Sequence, residues 1–461
     1  MSLIKSISGI RGTIGGKSGE ALTPIDIVKF SSAFAQWVID KTNNRKIVIG
    51  RDARISGSIV NQLITSSLQA MGIHVIDLGL STTPTVELAV TDENAGGGII
   101  VTASHNPKEW NAMKLLNREG EFLSAKDGEK VLAIAEKAKF EFADVMNLGL
   151  YETRENYIHK HIEKILALPL VKADAIKKKK FKVVVDAVNS TGGIAVPLLL
   201  KALGVQTIFE MYCEPNGKFP HNPEPLEENL SDIKGEVKLQ KADVGIVVDP
   251  DVDRLAIICE DGTMFGEEYT LVSVADYILQ HKKGNTVSNL SSTRALKDVT
   301  EKAGGKYYGS AVGEVNVVAQ MKECKAVIGG EGNGGVIYPD LHYGRDALVG
   351  IALFLSHLAT CGKTCSVLRS NYPNYFMSKK KINAPADKKE VLDIMKAIEE
   401  KYKKQPINKT DGLKIEFDDS WIHLRTSNTE PIIRIYTESK SQNMADSLAF
   451  KIMDDIKQVM R

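Results

Sequence analysis

Asp249, Asp251 and Asp253 stand at alternate positions in Asp249-Pro-Asp-Val-Asp-Arg254, so an extended backbone sends three carboxylates to one side. Like charges this close are costly unless a hard cation takes them, and a few carboxylates with room for substrate oxygens is how Mg²⁺ is usually held. The apolar run before the segment and Leu255-Ala-Ile-Ile after it favour a buried strand turn over an acidic surface turn. An EF-hand is excluded, because Arg254 stands where that loop needs Gly and strand-like apolar residues fill its later ligand positions.

Ser104, in Thr102-Ala-Ser-His-Asn-Pro, falls at the end of an expected strand among small residues, where backbone N–H groups can approach an anion. The G-x-S-x-G elbow of acyl-transfer serines is missing, and taken alone the segment reads equally as a turn or a nucleophile loop. In Arg425-Thr-Ser-Asn-Thr-Glu-Pro, the guanidinium of Arg425, the hydroxyls of Ser427 and Thr429 and the amide of Asn428 could cradle a phosphate. The alternative is a polar loop before a strand. Glu331 and Asn333, in the glycine-rich Gly330-Glu-Gly-Asn-Gly-Gly, supply acceptors and donors suited to sugar hydroxyls.

The elements that must carry these loops repeat. Lys46-Ile-Val-Ile-Gly is an apolar strand, followed by a helix with Val60, Ile64, Leu68 and Met71 on one face that stops at Gly72, a strand from Ile73, and Gly98-Ile-Ile-Val running into the Ser104 loop. Lys182-Val-Val-Val-Asp begins the same order, which ends in Val244-Gly-Ile-Val-Val before Asp249; a shorter copy runs from Asn285 to Ala326-Val-Ile-Gly before Glu331. Strands alternating with amphipathic helices predict mixed sheets covered on both faces, with ligands beyond the strands' carboxyl ends. After about residue 370 the pattern becomes α+β: a Lys-rich entry, a helix over 388–402, strands around 413–417 and 432–436, and a helix from Met444. The expected fold class is α/β, with three similar mixed-sheet domains and a smaller α+β C-terminal domain around a central cleft. The expected domains are 1–150 with the serine loop, 151–254 with the acidic loop, 255–370 with the sugar loop and 371–461 with the phosphate loop.

A length of 461 residues is about three times the ~150 typical of one domain, in keeping with several cores. Lys plus Arg total 59 against 58 for Asp plus Glu, so the +1 net charge provides no global attraction to nucleic acid or an anionic bilayer. Lys5 and Arg11 argue against a cleavable signal peptide, and the apolar stretch over 347–358 falls short of the ~20 residues of a spanning helix. These features predict a soluble cytoplasmic protein, without nucleic-acid or membrane partners, as monomer or homodimer. The five cysteines form no CxxC pair and read as free thiols, and the lysine runs 177–180 and 379–381 read as solvated element ends beside strands.

Together these residues resemble the α-D-phosphohexomutase superfamily of phosphoglucomutases, phosphomannomutases and phosphoglucosamine mutases. The resemblance covers nearly the whole chain, with four signature loops in order: Thr102-Ala-Ser-His-Asn-Pro, Asp249-Pro-Asp-Val-Asp-Arg, Gly330-Glu-Gly-Asn-Gly and Arg425-Thr-Ser-Asn-Thr. It implies that Ser104 carries a phosphoryl group and binds Mg²⁺ with Asp249, Asp251 and Asp253. Arg11 and Arg254 would face the transferring group, His105 would share the catalytic loop, and Lys114 in Asn111-Ala-Met-Lys would be a general base whose pKa is lowered by burial beside cations. Glu331, Asn333, Arg425, Ser427, Asn428 and Thr429 would bind a hexose phosphate, and a hexose 1,6-bisphosphate would act as activator. The implied activity is phosphohexose mutase, with phosphoglucosamine mutase favoured and phosphomannomutase or phosphoglucomutase as the alternative.

Two departures matter: Gly335 stands where many members of that family have a histidine, leaving His342 as a nearby candidate for the second acid/base, and Asn333 replaces a more usual serine. Two readings of other classes compete. Val247-Val-Asp249-Pro-Asp251-Val resembles the nucleophile motif of haloacid-dehalogenase-like phosphatases, but Asp253 sits where Thr or Val is expected and the repeated loops go unexplained. A non-catalytic phosphosugar-binding protein would not need the intact Ser104, acidic loop and cradle.

Overall fold

The computed structural model describes residues 2–6, 9–385, 387–426 and 431–460. They form two compact units, one of Met1–Tyr277 with Asn333–Arg369 and the other of Ile278–Gly332 with Ser370–Arg461.

The first unit holds two copies of the repeat. In the first, the strand Lys46–Arg51 lies between Gly97–Val101 and His74–Leu80, parallel to both. In the second, Lys182–Asp186 lies between Val244–Val248 and Thr207–Met211, again parallel. Each copy thus places its third strand beside its first, and an antiparallel strand, Trp110–Leu116 or Leu255–Cys259, pairs with that third strand. Gly97–Val101 and Val244–Val248 are buried along their whole length, as central strands covered on both faces must be. The helix Gly57–Ala70 turns the expected Val60, Ile64 and Leu68 into the core and ends before Gly72, whose φ is +74°.

The second unit repeats the order with Asn285–Asn289 parallel to both Tyr307–Ser310 and Ala326–Glu331. Each copy also has a helix between its second and third strands, Thr83–Asp92, Ser231–Gln240 and Glu314–Cys324, that the sequence pattern did not reveal. Thr83 to Val90 are all buried, which erases the polar face that makes a helix readable, and Ser231–Gln240 buries only Ile233 and Val237.

The C-terminal part of this unit is an antiparallel sheet in the order Phe376–Asn383, Ile432–Ser439, Trp421–Thr426, Leu413–Glu416 and Ile407–Asn408. Helices Lys388–Lys401 and Gln442–Val459 bring Ile398, Ile452 and Ile456 onto Ile415, Ile422 and Ile435. Lys379 to Lys381 lie inside the edge strand, where charged side chains discourage pairing with another chain, and do not merely adjoin it. Lys177 to Lys179 form the last turn of the helix Ala173–Lys179, where cations suit the carbonyl end. The apolar stretch near 347 is the buried helix Ala347–Cys361, and among the described residues no helix is long and apolar enough to cross a membrane.

Candidate active site

The first unit brings Ser104, Asp249, Asp251, Asp253 and Lys114 together. Ser104 follows the strand Gly97–Val101 in a left-handed conformation, φ +49°, with its amide donating to Thr102 Oγ1. Its hydroxyl donates to Asp249 Oδ2 at 2.7 Å. Asp249 follows the corresponding strand of the second copy, so equivalent strand ends present the serine and the first carboxylate. Asp249 Oδ1 accepts the amide N–H groups of Asp253 and Arg254, both at 3.1 Å, which closes the acidic loop on itself.

Asp251 Oδ2 accepts from Thr83 Oγ1 and from Lys114 Nζ, the latter at 2.7 Å. Asp253 Oδ2 accepts from Arg345 Nη2 at 2.7 Å, with Lys114 Nζ at 3.5 Å. The remaining oxygens, Asp251 Oδ1 and Asp253 Oδ1, are buried and accept no hydrogen bond. Burial, followed by the charges of Asp253 and Asp251, pushes the Asp249 carboxyl well up. Burial acts in the same direction on Asp251, but Lys114 and the Thr83 hydroxyl outweigh it and hold that carboxyl below the usual range. Three buried carboxylates whose atoms lie within 4.8 Å, two of them with an unbonded oxygen, fit a hard divalent cation. Asp249, Asp251, Asp253 and Ser104 Oγ are the oxygens on hand to hold it.

Arg11 and Lys114 share one sheet face. Arg11 pairs with Ala112 across the antiparallel strands Gly9–Thr13 and Trp110–Leu116, and Lys114 lies two residues beyond Ala112. Burial pushes the Lys114 ammonium down, yet Asp251 and Asp253 outweigh it and hold its pKa above the ordinary value. The expected lowering is therefore reversed: the nearest partners of Lys114 are carboxylates, and the amine keeps its proton. His105 Nδ1 lies 3.4 Å from Ser104 Oγ, and burial with the nearby Arg254, Arg11 and Lys114 pushes its pKa down to about 3, so the ring is neutral at pH 7. Arg254 Nη1 is 3.3 Å from Glu224 Oε1, and Arg11 Nη1 donates to Asn106 Oδ1 at 3.5 Å.

Several residues that hold this site were not singled out in the sequence. Arg54 is fully buried; its Nε donates to Asp52 Oδ2 and its two terminal nitrogens to the carbonyls of Ser104, Asn106, Pro107 and Trp110. Asp52 Oδ2 also accepts Thr102 Oγ1 at 2.7 Å, so one ion pair fixes both ends of the serine loop. Ser190 and Thr191 donate to the carbonyl of Pro250 and support the acidic loop from the first turn of the second copy. An Arg-Asp-Ala-Arg run directly after an apolar strand was the available signal for Asp52 and Arg54. Arg345 carried none beyond standing before an apolar helix.

Asn333 Oδ1 accepts the amide of Gly335 at 3.2 Å. Gly334 has φ +84° and a Cβ there would stand 2.3 Å from the Leu255 carbonyl oxygen, so only glycine fits this approach. His342 faces Glu87 and Asp346, each at 3.3 Å, and its ring nitrogens are not bonded to the acidic loop. In the second unit, Glu331 Oε1 accepts from Asn289 Nδ2 and the Gly313 amide, and Arg425 Nε lies 2.7 Å from Asp411 Oδ2. Ser427, Asn428 and Thr429 lie outside the described residues.

The chain matches, in succession, the phosphoglucomutase/phosphomannomutase alpha/beta/alpha domains I, II and III over residues 3–142, 157–262 and 266–375, and the C-terminal domain of that family over residues 381–454. It is 36% identical over 452 residues to "Phosphoglucomutase/phosphomannomutase" of Thermococcus kodakarensis, covering 96% of this chain and 98% of that one. It is 31% identical over 454 residues to "Probable phosphoglucosamine mutase" of Methanopyrus kandleri, covering 98% and 97%. A crystal structure of a phosphoglucomutase/phosphomannomutase family protein from Burkholderia thailandensis superimposes with a TM-score of 0.84 at 26% identity, covering 99% of this chain and 97% of that one. The chain belongs to the phosphoglucomutase/phosphomannomutase family, within the α-D-phosphohexomutase superfamily. It is accordingly an enzyme that transfers a phosphoryl group between positions of a sugar phosphate, and the phosphatase resemblance of the acidic loop is superseded.

Proposed function

We propose that this enzyme interconverts the 1- and 6-phosphates of a hexose by way of a phosphorylated Ser104 and a bisphosphate intermediate. The observation that carries the reading is the 2.7 Å hydrogen bond from Ser104 Oγ to Asp249 within a buried acidic loop. In the forward step the P–O bond to Ser104 Oγ breaks, a P–O bond to the free sugar hydroxyl forms, and the hydroxyl proton passes to a base. The bisphosphate turns over, its other phosphate returns to Ser104, and the enzyme is regenerated. A trace of hexose 1,6-bisphosphate activates the protein by phosphorylating Ser104.

Asp249, Asp251, Asp253 and the serine oxygen would hold Mg²⁺, which when bound would supply positive charge against the phosphoryl oxygens. Arg11 and Arg254 contribute guanidinium charge to the same task, and neutral His105 a ring nitrogen beside Ser104. Lys114 serves as base only in its unprotonated form, which its carboxylate partners disfavour in the free protein. Glu331, Asn333 and the Arg425 loop with Ser427, Asn428 and Thr429 are assigned to sugar and non-reacting phosphate. Glucosamine phosphate is the favoured substrate, supported by relatives named for it, with mannose and glucose phosphates as the alternative.

The test is phosphorus NMR of the purified enzyme with Mg²⁺ and a trace of hexose 1,6-bisphosphate, offered glucosamine 6-phosphate, mannose 1-phosphate and glucose 1-phosphate in parallel. A clear preference for glucosamine supports the favoured substrate; comparable rates on the other two mean a broad hexomutase. Ser104→Ala is expected to abolish turnover, and wild-type rates in that variant would sink the phosphoserine route.

A further inference from the structure

The first unit buries a second cluster, linked to the acidic loop through Thr83 and Arg345, to which the proposed function assigns no step. Thr83, Thr85 and Glu87 alternate at the start of the helix Thr83–Asp92. Thr83 bonds Asp251, whereas Thr85 and Glu87 meet two histidines. His161, from the helix Tyr157–Leu166, has Nδ1 2.9 Å from Thr85 Oγ1 and Nε2 2.9 Å from Asp346 Oδ2. His342 has Nε2 3.3 Å from the same carboxylate oxygen and Nδ1 3.3 Å from Glu87 Oε2. The other Asp346 oxygen accepts the amides of Leu348 and Val349 as the N-cap of the helix Ala347–Cys361.

Three possible ligand atoms, one from each of His161, His342 and Asp346, therefore lie within 4.8 Å of one another. Tetrahedral Zn²⁺ with bonds near ~2.0–2.1 Å sets neighbouring ligand atoms roughly 3.3 Å apart. The two separations to Asp346 Oδ2 are 2.9 and 3.3 Å. Each ligand is also oriented from behind, His161 by a hydroxyl, His342 by a carboxylate and Asp346 by two backbone amides, the pattern that fixes imidazole tautomer and aim at metal centres. Two buried carboxylates face the cluster, and one divalent cation would neutralise both.

We propose that His161, His342 and Asp346 form a second metal site, for a divalent transition ion of the Zn²⁺ type, with Thr85 and Glu87 positioning the imidazoles. The donor sets sort the two sites: two imidazoles with one carboxylate select a borderline ion, and the all-oxygen acidic loop selects a hard one. Ion binding displaces the proton between His342 and its carboxylate partners. The site ties two helices to the segment 342–346, whose Arg345 contacts Asp253.

The test uses the full-length protein with Mg²⁺ in excess, so that the acidic loop is occupied, titrated with Co²⁺ as a visible probe. One equivalent should give the intense ligand-field absorption of low-coordinate Co²⁺, and Zn²⁺ should displace it. His161→Gln and His342→Gln should each abolish the band, Glu87→Gln should weaken binding about 10- to 100-fold, and Asp251→Asn should leave the band unchanged. A band that survives His161→Gln, or is lost in Asp251→Asn, overturns the assignment. X-ray absorption on the Zn²⁺-loaded wild type needs no variant to fold: two imidazoles with oxygen are expected, and an all-oxygen or sulfur shell overturns it.

Discussion

A Cβ on Gly335 would stand 2.3 Å from Cδ of Arg345, so the arginine fills the room that any side chain at 335 would need. The same arginine reaches Asp253 Oδ2 with Nη2 at 2.7 Å. Where the family resemblance leads to the expectation of a histidine, this chain has space for a guanidinium on the acidic loop. Gly335→His must push the Arg345 side chain aside, and a flexible side chain can yield without loss of fold. Loss of a hydrogen bond to a charged group is worth about 1.5–3 kcal/mol, so kcat/KM should fall roughly 10- to 100-fold. Steady-state kinetics with circular dichroism checks this, and an unchanged rate in a folded variant would remove Arg345 from the reaction.

Lys114 is the close cation of Asp251, at 2.7 Å, and shares Asp253 with Arg345, so Lys114→Met should leave Asp251 without its cation and the acidic loop one positive charge short. Breaking a buried ion pair in this way typically costs about 3–5 kcal/mol. A divalent cation restores the missing charge. Melting with and without Mg²⁺ should therefore show a larger metal-induced rise in Tm for Lys114→Met than for wild type. Equal rises would mean that Lys114 and the ion do not share these carboxylates.

The loops were legible because their chemistry is local: alternate carboxylates, a serine between small residues and a glycine-rich turn are readable within six residues. The repeat was legible because buried parallel strands are continuous apolar runs. The helix Thr83–Asp92 was not, since a helix buried on all sides has no polar face to mark its period. The misjudged environment of Lys114 has a different cause. Its neighbours Asp251 and Asp253 lie 137 and 139 residues away in sequence, so only the fold decides whether anions or cations reach it. Arg54 shows the same limit, because four of its five acceptors are backbone carbonyls of a loop 50 or more residues on, which no residue type announces.

Arg54→Lys should be severe despite keeping the charge. A lysine has no fork to reach Asp52 and the four loop carbonyls at once, and those carbonyls would lose their donors in a buried setting. Destabilisation of about 3 kcal/mol or more is expected, with at least a 100-fold loss of kcat. Amide hydrogen exchange over 102–110 should accelerate more than exchange in the C-terminal sheet. Equal acceleration in both regions would make Arg54 a general stability residue with no particular hold on the serine loop.

His423 supplies a pH dependence in the second unit. Its Nε2 donates to the Asp411 carbonyl and its Nδ1 accepts from Ser291 Oγ, an arrangement that needs the neutral ring. Burial is the main cause that pushes its pKa down to about 4, with Lys414 and Arg425 acting in the same direction and the Asp411 carbonyl opposing. The unfolded chain, with a histidine near ~6.5, then binds more protons than the folded one between the two values, so stability falls as pH falls through that window. The loss on going from pH 7 to pH 4 should be roughly 3 kcal/mol from this residue. His105 is shifted in the same direction, so the wild type alone cannot assign the effect. His423→Gln keeps a donor and an acceptor but does not titrate, and denaturant unfolding across this range should show a shallower pH slope in the variant. A slope identical to wild type would mean that His423 is already protonated in the native protein or stays neutral in the unfolded one.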